Sequence, residues 1–526
     1  MPVDQIIHIF RKDIRRHWRE IALSLAILTA FAWNEPRQWM PRRFGENPGL
    51  EFFSGWLGPM VVIGWFLVIV RVVHDEVLAG DRQFWVTRPY DWKKLLAAKA
   101  LFLVVFLNLP LLIVQMTLLS KAGFKPTAYL TGLFYLQLLW ILILFLPLIA
   151  LATVTSSLVQ AVLVVLGILL GMIGLSALNS VHAIQRLTVA NWIPVWLPST
   201  IKACAYAIVV FVLIWQYARR RTRQSRFLLI AAAAAVLVVP SPPESFPASE
   251  YLPLSAGQQV PVQFAFDPVR PKIEDTVGEK NKVRVRIPLL VSGIAQSSAV
   301  TIEGTMVEIE APGELRWNSG WFRSTDFLLP GRRYADAWFS VDSAFFDQIK
   351  SISANVHISF ALAALPPKET RQITTAAGEF AVPGGALCAI EREGYAGLRC
   401  RSPLTTPFLL VSTLADETTC PPAEDEKVTP PGTVFSAMNR NWTRTRAELG
   451  ISPVLVSSLE LRPGSRTRDD LQAHLCPGTP LTFSVPVEKQ RMRNEVIIDS
   501  IRLADYQLRN ISLRGGGAIG FDVGLH

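Results

Sequence analysis

The sequence predicts an α-helical polytopic membrane domain followed by a mostly-β, sandwich-like soluble region. Three observations predict it. Residues 126–185 contain no Lys, Arg, Asp or Glu, whereas about a quarter of positions are charged in an ordinary soluble domain. The long apolar runs stop at Pro240. From residue 255 onward the apolar residues recur at every second position instead of at helical spacing, which marks strands with one buried face.

Charge divides at the same place. Residues 1–240 hold 23 Lys and Arg against 10 Asp and Glu, and residues 241–526 hold 29 against 32. A sequence pI near 9.5 therefore reflects basic membrane flanks, retained on the cytoplasmic side, and not a nucleic-acid surface. Tryptophan follows suit, with 11 of 15 before residue 241. Trp33, Trp39, Trp56, Trp196 and Trp215 lie near expected crossing ends, where an interfacial belt would hold them.

Residues 1–19 read as an amphipathic interfacial helix. Apolar and basic residues alternate at helical spacing from Ile6 to Arg19, which suits a helix lying among headgroups. No cleavable signal pattern follows it. The transmembrane domain then occupies 20–240, with apolar segments at about 20–34, 54–73, 98–119, 129–152, 158–179, 199–217 and 227–240. The last is the weak one. Phe227 to Val239 is 13 residues, or about 20 Å of helix against a hydrocarbon core of about 30 Å. Snorkelling of Arg226 and local thinning would close that gap.

Alternation sets orientation. The N-terminus, the 74–97 loop with Arg71 and Lys99 at its margins, the turn near Ser156 and the Arg219–Arg226 stretch carry 16 Lys and Arg, and the opposite side carries 7. The first set is expected in the cytoplasm. The C-terminal half then lies outside the cytoplasm, which for a bacterial cytoplasmic membrane is the periplasm.

A linker spans 241–254. A β-sandwich domain is expected over 255–370 and a second β-rich domain over 371–526. Val260, Val262, Phe264 and Phe266 share one face; so do Val283, Val285, Ile287 and Leu289, and again Val356, Ile358, Phe360 and Leu362. A helical insert is expected at Ser343–Ser351, after Asp342 as a cap. Trp317, Trp321 and Phe322 form either an aromatic ligand patch or, more simply, a turn anchored in the core.

Cys204 sits in an apolar run and is expected to be an inert buried thiol. The other four cysteines, Cys388, Cys400, Cys420 and Cys476, suit an oxidising compartment. Three pairings are open. The favoured one joins Cys388 to Cys400 across a hairpin and Cys420 to Cys476. Four reduced core thiols is the alternative; metal binding is weaker still, because no CxxC or CxxH spacing occurs. The sequons at Asn441 and Asn510 are too short a pattern to carry weight.

The sequence carries no P-loop, HExxH or GxSxG, so neither an ATPase nor those hydrolase chemistries is encoded in it. Its seven histidines are scattered. Crossings four and five contain no charged residue, and crossing three offers Asn108, Gln115 and Pro110 as its polar or irregular features. Ion-coupled carriers keep ionisable groups in their crossings, so any energy source is expected in a separate subunit. Residues 73–99, between crossings two and three, mix charges, aromatics and Pro89 before entering a helix. That composition reads either as a solvated loop or as a docking segment for a cytoplasmic partner.

This arrangement resembles the type-2 exporter permeases of the ATP-binding-cassette transporters. The similarity covers about residues 1–220. It rests on the N-terminal interfacial helix, on Glu76, Gly80, Thr87-Arg88-Pro89 and Lys99, and on an amphipathic stretch at Asn191–Pro198 before crossing six. The sequence departs from the family at Tyr90-Asp91. The family core has six helices, so the seventh segment and the β region are additions. The resemblance implies a permease subunit that moves substrate outward. It would pair with a second permease subunit, identical or paralogous, and bind cytoplasmic ATP-binding-cassette ATPase subunits that hold the ATP and magnesium. It implies no catalytic residue, cofactor or metal site in this chain, and so no enzyme. Glu76, Asp81, Arg82, Thr87, Arg88 and Pro89 would form the ATPase-coupling loop. The competing reading is a non-transporting membrane anchor or sensor that presents an extracytoplasmic β-sandwich binding domain. A membrane-bound lipid or glycan enzyme fits less well, because Glu35, Glu46 and Glu51 are too sparse to form a carboxylate pair.

Overall fold

The computed structural model describes residues 2–39, 48–75, 92–180, 197–219, 221–238, 248–251, 262–269, 281–376, 378–391, 397–405, 407–415, 432–439, 450–463, 475–486 and 490–508. Seven helices precede the strands among them: α1 (Pro2–Asn34), α2 (Pro48–His74), α3 (Trp92–Lys121), α4 (Pro126–Val154), α5 (Leu158–Ser180), α6 (Leu197–Arg219) and α7 (Thr222–Val238). Six of the seven expected apolar segments fall within one of them; the seventh, 227–240, lies in α7 up to Val238, and its last two residues lie outside the described residues. Four helices are long and apolar enough to cross a membrane: α2 over Gly55–His74, α3, α4, and α6 over Thr200–Arg219. In α5 the described apolar stretch, Leu158–Gly174, is shorter. α7 is 17 residues long and opens with Thr-Arg-Gln-Ser-Arg, and α1 is too charged through its first half.

The expected interfacial helix and first crossing are one continuous helix, interrupted only at His17, whose φ of −109° and ψ of 19° leave the helical region. Its buried stripe runs Ile9, Asp13, His17, Ile21, Ser24, Leu28 and Phe31, the three- and four-residue spacing of one helix face. α3 and α4 each contain a π turn, Val104–Asn108 and Ile141–Phe145. Pro110 and Pro147 follow within two residues. Proline lacks an N–H and crowds the carbonyl four residues back; the wider π turn absorbs that mismatch.

Cys204 is exposed, contrary to the expected buried thiol. α6 packs through Val212, Leu213, Gln216 and Tyr217 near its far end, leaving the face at Cys204 open. Trp39 also departs from expectation: it is 3% exposed, seated beneath the β region instead of in an interfacial belt.

The C-terminal half is mostly β. One sheet, in the order β1 (Gln263–Phe266), β2 (Lys282–Ser292), β6 (Tyr334–Asp342), faces another in the order β17 (Gln490–Ile501), β7 (Ala354–Leu365), β3 (Ala299–Ala311), β4 (Leu315–Asn318), with β5 (Phe322–Leu328) also on β3. Val285, Ile287 and Leu289 of β2 (Lys282–Ser292) share one buried cluster with Val356, Ile358, Phe360 and Leu362 of β7 (Ala354–Leu365). The insert is present as α8 (Ser343–Ile349), although the Asp342 side chain makes no capping hydrogen bond. Trp317 packs against that cluster, and Trp321 lies under the Arg493 guanidinium, so the anchored turn describes this segment.

A second pair of sheets has the orders β14 (Val454–Glu460), β11 (Gly397–Pro403), β10 (Leu387–Ile390), β9 (Phe380–Ala381) and β15 (Arg462–Pro463), β13 (Val434–Met438), β12 (Leu410–Leu414), β16 (Pro480–Pro486), β8 (Pro367–Thr374). Cys388, Leu398 and Cys400 on one sheet meet Val411, Phe435, Leu481 and Phe483 on the other. The expected boundary at 370 falls inside β8 (Pro367–Thr374), which pairs with β16. The segment 371–526 is not confined to the second pair either. β17 (Gln490–Ile501) hydrogen-bonds along β7, because Met492, Val496 and Ile498 complete the first core. Ser412 and Ser436 tie the pairs together through the Gln296 and Pro330 carbonyls.

Cys388 and Cys400 are bonded as expected, directly opposite each other on β10 (Leu387–Ile390) and β11 (Gly397–Pro403). Cys476 is disulfide-bonded too. Cys420, its expected partner, lies outside the described residues, as do both sequons.

Candidate coupling site at the two ends of the helical bundle

One end of the bundle carries the connection from α2 to α3. Glu76, Asp81, Arg82, Thr87, Arg88 and Pro89, the expected coupling residues, lie outside the described residues. So does the expected stretch Asn191–Pro198, apart from Leu197 and Pro198. What flanks the connection is described. Asp75, the first residue after α2, sits between His17 Nε2 at 2.8 Å and Arg16 Nε at 2.9 Å. Lys99, in the second turn of α3, donates from Nζ to Asp13 Oδ2 at 2.7 Å and to the Val72 carbonyl at 3.0 Å. Both the Lys99 and Asp13 side chains are almost wholly buried.

The local reason is the stripe on α1. Asp13 and His17 occupy two successive four-residue steps between Ile9 and Ile21, so the helix must bury both. A buried carboxylate is tolerated only when paired and hydrogen-bonded, and Lys99 meets that demand. α1, the end of α2 and the start of α3 are therefore clamped together at the connection's base. Burial would raise the Asp75 pKa, but the His17 hydrogen bond and the nearby charges of His17, Arg16 and Lys99 outweigh it and hold the carboxyl below its ordinary range. A second contact set lies alongside. His74 Nε2 is 3.0 Å from Thr155 Oγ1, and Arg226 Nε donates to the Val154 carbonyl at 2.8 Å. The latter caps the carbonyl end of α4 with a cation.

The opposite end of the bundle meets the β region. Ile451 and Val454 join the helical core cluster, with Leu387, Leu404 and Val456 packed against it. Arg399 donates to the Gln38 carbonyl, and the Arg401 guanidinium lies 5.9 Å from the Trp39 ring centroid. A side chain at Gly132 would run into Leu404 Cδ1 at 2.2 Å, so glycine at the start of α4 allows the close approach. Glu35 is half-buried here. Burial raises its pKa against the opposing hydrogen bonds from Ser452 and Trp39.

Between the ends runs a buried polar chain. Asn108 donates to Gln137 Oε1 at 3.0 Å, Gln137 donates to Gln115 Oε1 at 2.9 Å, and Gln115 donates to the Ile451 carbonyl at 3.2 Å. The sequence pointed to Asn108 and Gln115; Gln137 and the Ile451 contact carried no signal of their own. Asp13, His17 and Asp75 were also missed, although a carboxylate and a histidine on an otherwise apolar helix stripe was the pattern to notice. Among the described residues no group of His, Cys, Asp and Glu is placed to hold a metal. No family model matches the chain, and no curated protein matches it either.

Proposed function

We propose that this chain is the membrane-spanning permease subunit of an ATP-binding-cassette exporter, driven by a separate cytoplasmic ATPase. The observation that carries the reading is the clamp at the base of the α2–α3 connection. A segment that receives force needs a stiff base, and Asp13, His17, Asp75 and Lys99 join α1 to the end of α2 and the start of α3, the two described flanks of the connection. Arg16 and Arg226 place cations at the same end, which supports a cytoplasmic location for it. The β region docks at the other end, consistent with two extracytoplasmic β-sandwiches. On α5, Val159, Leu163, Leu166, Leu170 and Ile173 are all exposed, which fits a helix that faces lipid or a second permease subunit.

Purification of the tagged chain from its host in mild detergent tests the proposal. Recovery of a stoichiometric ATPase, lost when residues 82–89 are replaced by a neutral linker, is the expected result. Charge reversal at Glu76 and Arg88 is expected to weaken the same complex. If no ATPase is recovered under conditions that preserve a known exporter, the permease reading falls and the anchor or sensor reading takes its place.

A further inference from the structure

We infer that α3 is a transmission rod that carries movement between the Asp13–Lys99 contact near its start and the β region, with the Asn108–Gln137–Gln115 chain fixing its other end to the Ile451 loop. This rests on the proposed coupling role for what drives the movement; the mechanical link itself does not.

α3 is held by buried polar contacts near both of its ends. Near its start, Lys99 is bound to Asp13 and to the Val72 carbonyl. Sixteen residues on, Gln115 is fully buried and donates to a backbone carbonyl of the β region, 336 residues away in sequence. Both contacts are polar and buried, so neither can slide at low cost. Apolar packing in a bilayer can slip, because lipid tails replace one apolar neighbour with another. A buried amide that leaves its partner loses a hydrogen bond with no water to replace it. The polar chain is thus the part of the interface that holds one register.

The second element is the articulation. The π turn at Val104–Asn108 lies between Lys99 and Gln115, and π turns commonly occur where a helix must adapt for function. Its last residue, Asn108, bonds to Gln137, one turn before the matching π turn of α4. The two helices are therefore laced together at the π turn of α3 and one turn before that of α4, and they would move as a pair. Asn108 Oδ1 and Trp140 Nε1 are both buried and without a hydrogen-bond partner among the described residues. Unused hydrogen-bonding capacity beside two π turns is what a joint with a second arrangement requires.

The third element is the surface receiving the movement. Ile451 leads into β14 (Val454–Glu460), which pairs with β11 along its whole length. β11 carries Arg399, which holds Gln38, and Cys400, which is bonded to Cys388. A shift of Gln115 therefore acts on a cross-linked sheet and not on a lone loop.

Hydrogen–deuterium exchange on the full chain in lipid nanodiscs tests this, and it needs neither ATP nor a partner. Four forms are compared: the unaltered chain, Asp75→Asn, Gln115→Leu, and the two together. Asp75→Asn loosens the α1–α2 clamp to which Lys99 of α3 is bound, and with Gln115 in place it is expected to change protection of the β14 amides. In the Gln115→Leu background that response is expected to vanish, while baseline exchange in β14 rises about tenfold through the lost buried hydrogen bond. A response of equal size with and without Gln115, or none in either, overturns the inference. If Gln115→Leu does not fold, Gln115→Met preserves the volume and Asn108→Leu breaks the chain one link earlier. Absence of an ATPase partner would defeat the proposed function and leave this result standing, so the two failures are distinguishable.

Discussion

Asp13 and Lys99 stand 86 residues apart in sequence and meet at 2.7 Å, with side chains 0% and 3% exposed. A charge pair this deep is a specificity device more than a source of stability, because desolvation consumes most of its attraction. It fixes which face of α1 meets α3 and how far along, since one turn of slippage would leave two bare charges inside the bundle.

Removing one partner is therefore far worse than removing both. Lys99→Met is expected to destabilise the helical part by about 3–5 kcal/mol, because the Asp13 carboxylate stays buried without its ammonium. The double change Asp13→Leu with Lys99→Met is expected to recover most of that loss. Thermal unfolding in detergent measures both. A single variant as stable as the unaltered chain would contradict the pair's role.

Asp75 gives a pH dependence with a definite sign. Its carboxyl is held below the ordinary value of 3.8: burial pushes upward, and the His17 hydrogen bond with the His17, Arg16 and Lys99 charges overcomes it. A depressed folded-state pKa contributes stability that is present above the unfolded value and lost as pH falls through the folded one. The α1–α2 clamp should accordingly hold near neutrality and weaken below about pH 4. Asp75→Asn should abolish that acid-dependent step. An acid step of unchanged size in Asp75→Asn would assign it to other carboxylates.

Glu35, at the opposite end, has the reverse sign. Burial raises its pKa above 4.5 and outweighs the hydrogen bonds from Ser452 and Trp39. The docked state favours the protonated carboxyl, so docking of the β region is tightest below the ordinary value. It weakens as pH climbs through that value to the raised one, and stays weakened above it. Glu35→Gln should make docking insensitive to pH. Comparing exchange at residues 450–456 between Glu35→Gln and the unaltered chain at each pH cancels the intrinsic pH effect on exchange. Identical profiles for the two would refute the assignment.

The helices and strands were legible because each has a periodic signal of its own. Sixty residues without charge, or Val285-Arg286-Ile287 alternation, need no partner to be interpreted. The clamp and the polar chain were not legible in that way. Lys99 and Asp13 each look like a basic or acidic flank until the fold brings them together, and Gln137 looks like one polar residue in an apolar run. The Ile451 contact is a backbone carbonyl, which no sequence pattern marks. The return of β17 to the first pair of sheets was hidden for a related reason. Its alternation announces a strand, but pairing across more than 120 residues depends on which core lacks a strand. The burial of Cys204 was misjudged because an apolar run cannot say which of its faces the protein covers and which it leaves to lipid.

The Cys388–Cys400 disulfide lies beside the junction between the helices and the β region. Its neighbours in sequence are the residues that grip the helices: Leu387 packs toward them, and Arg399 holds the Gln38 carbonyl. The bond closes a short loop, with a sequence separation of 12, and a loop of that size contributes roughly 2–3 kcal/mol by restricting the unfolded chain. Replacing both cysteines by Ala should lower the stability of the second pair of sheets by about that amount. The effect should concentrate at the helix junction, because β10 and β11, with the β14 strand paired to β11, are the strands that touch it. Exchange along β14 and at Gln38–Trp39 should rise, while exchange in β3 and β7, whose core is separate, should not. Equal loosening of both sheet pairs would mean that the bond supports the whole β region, and that the junction does not depend on the local stiffness of this hairpin.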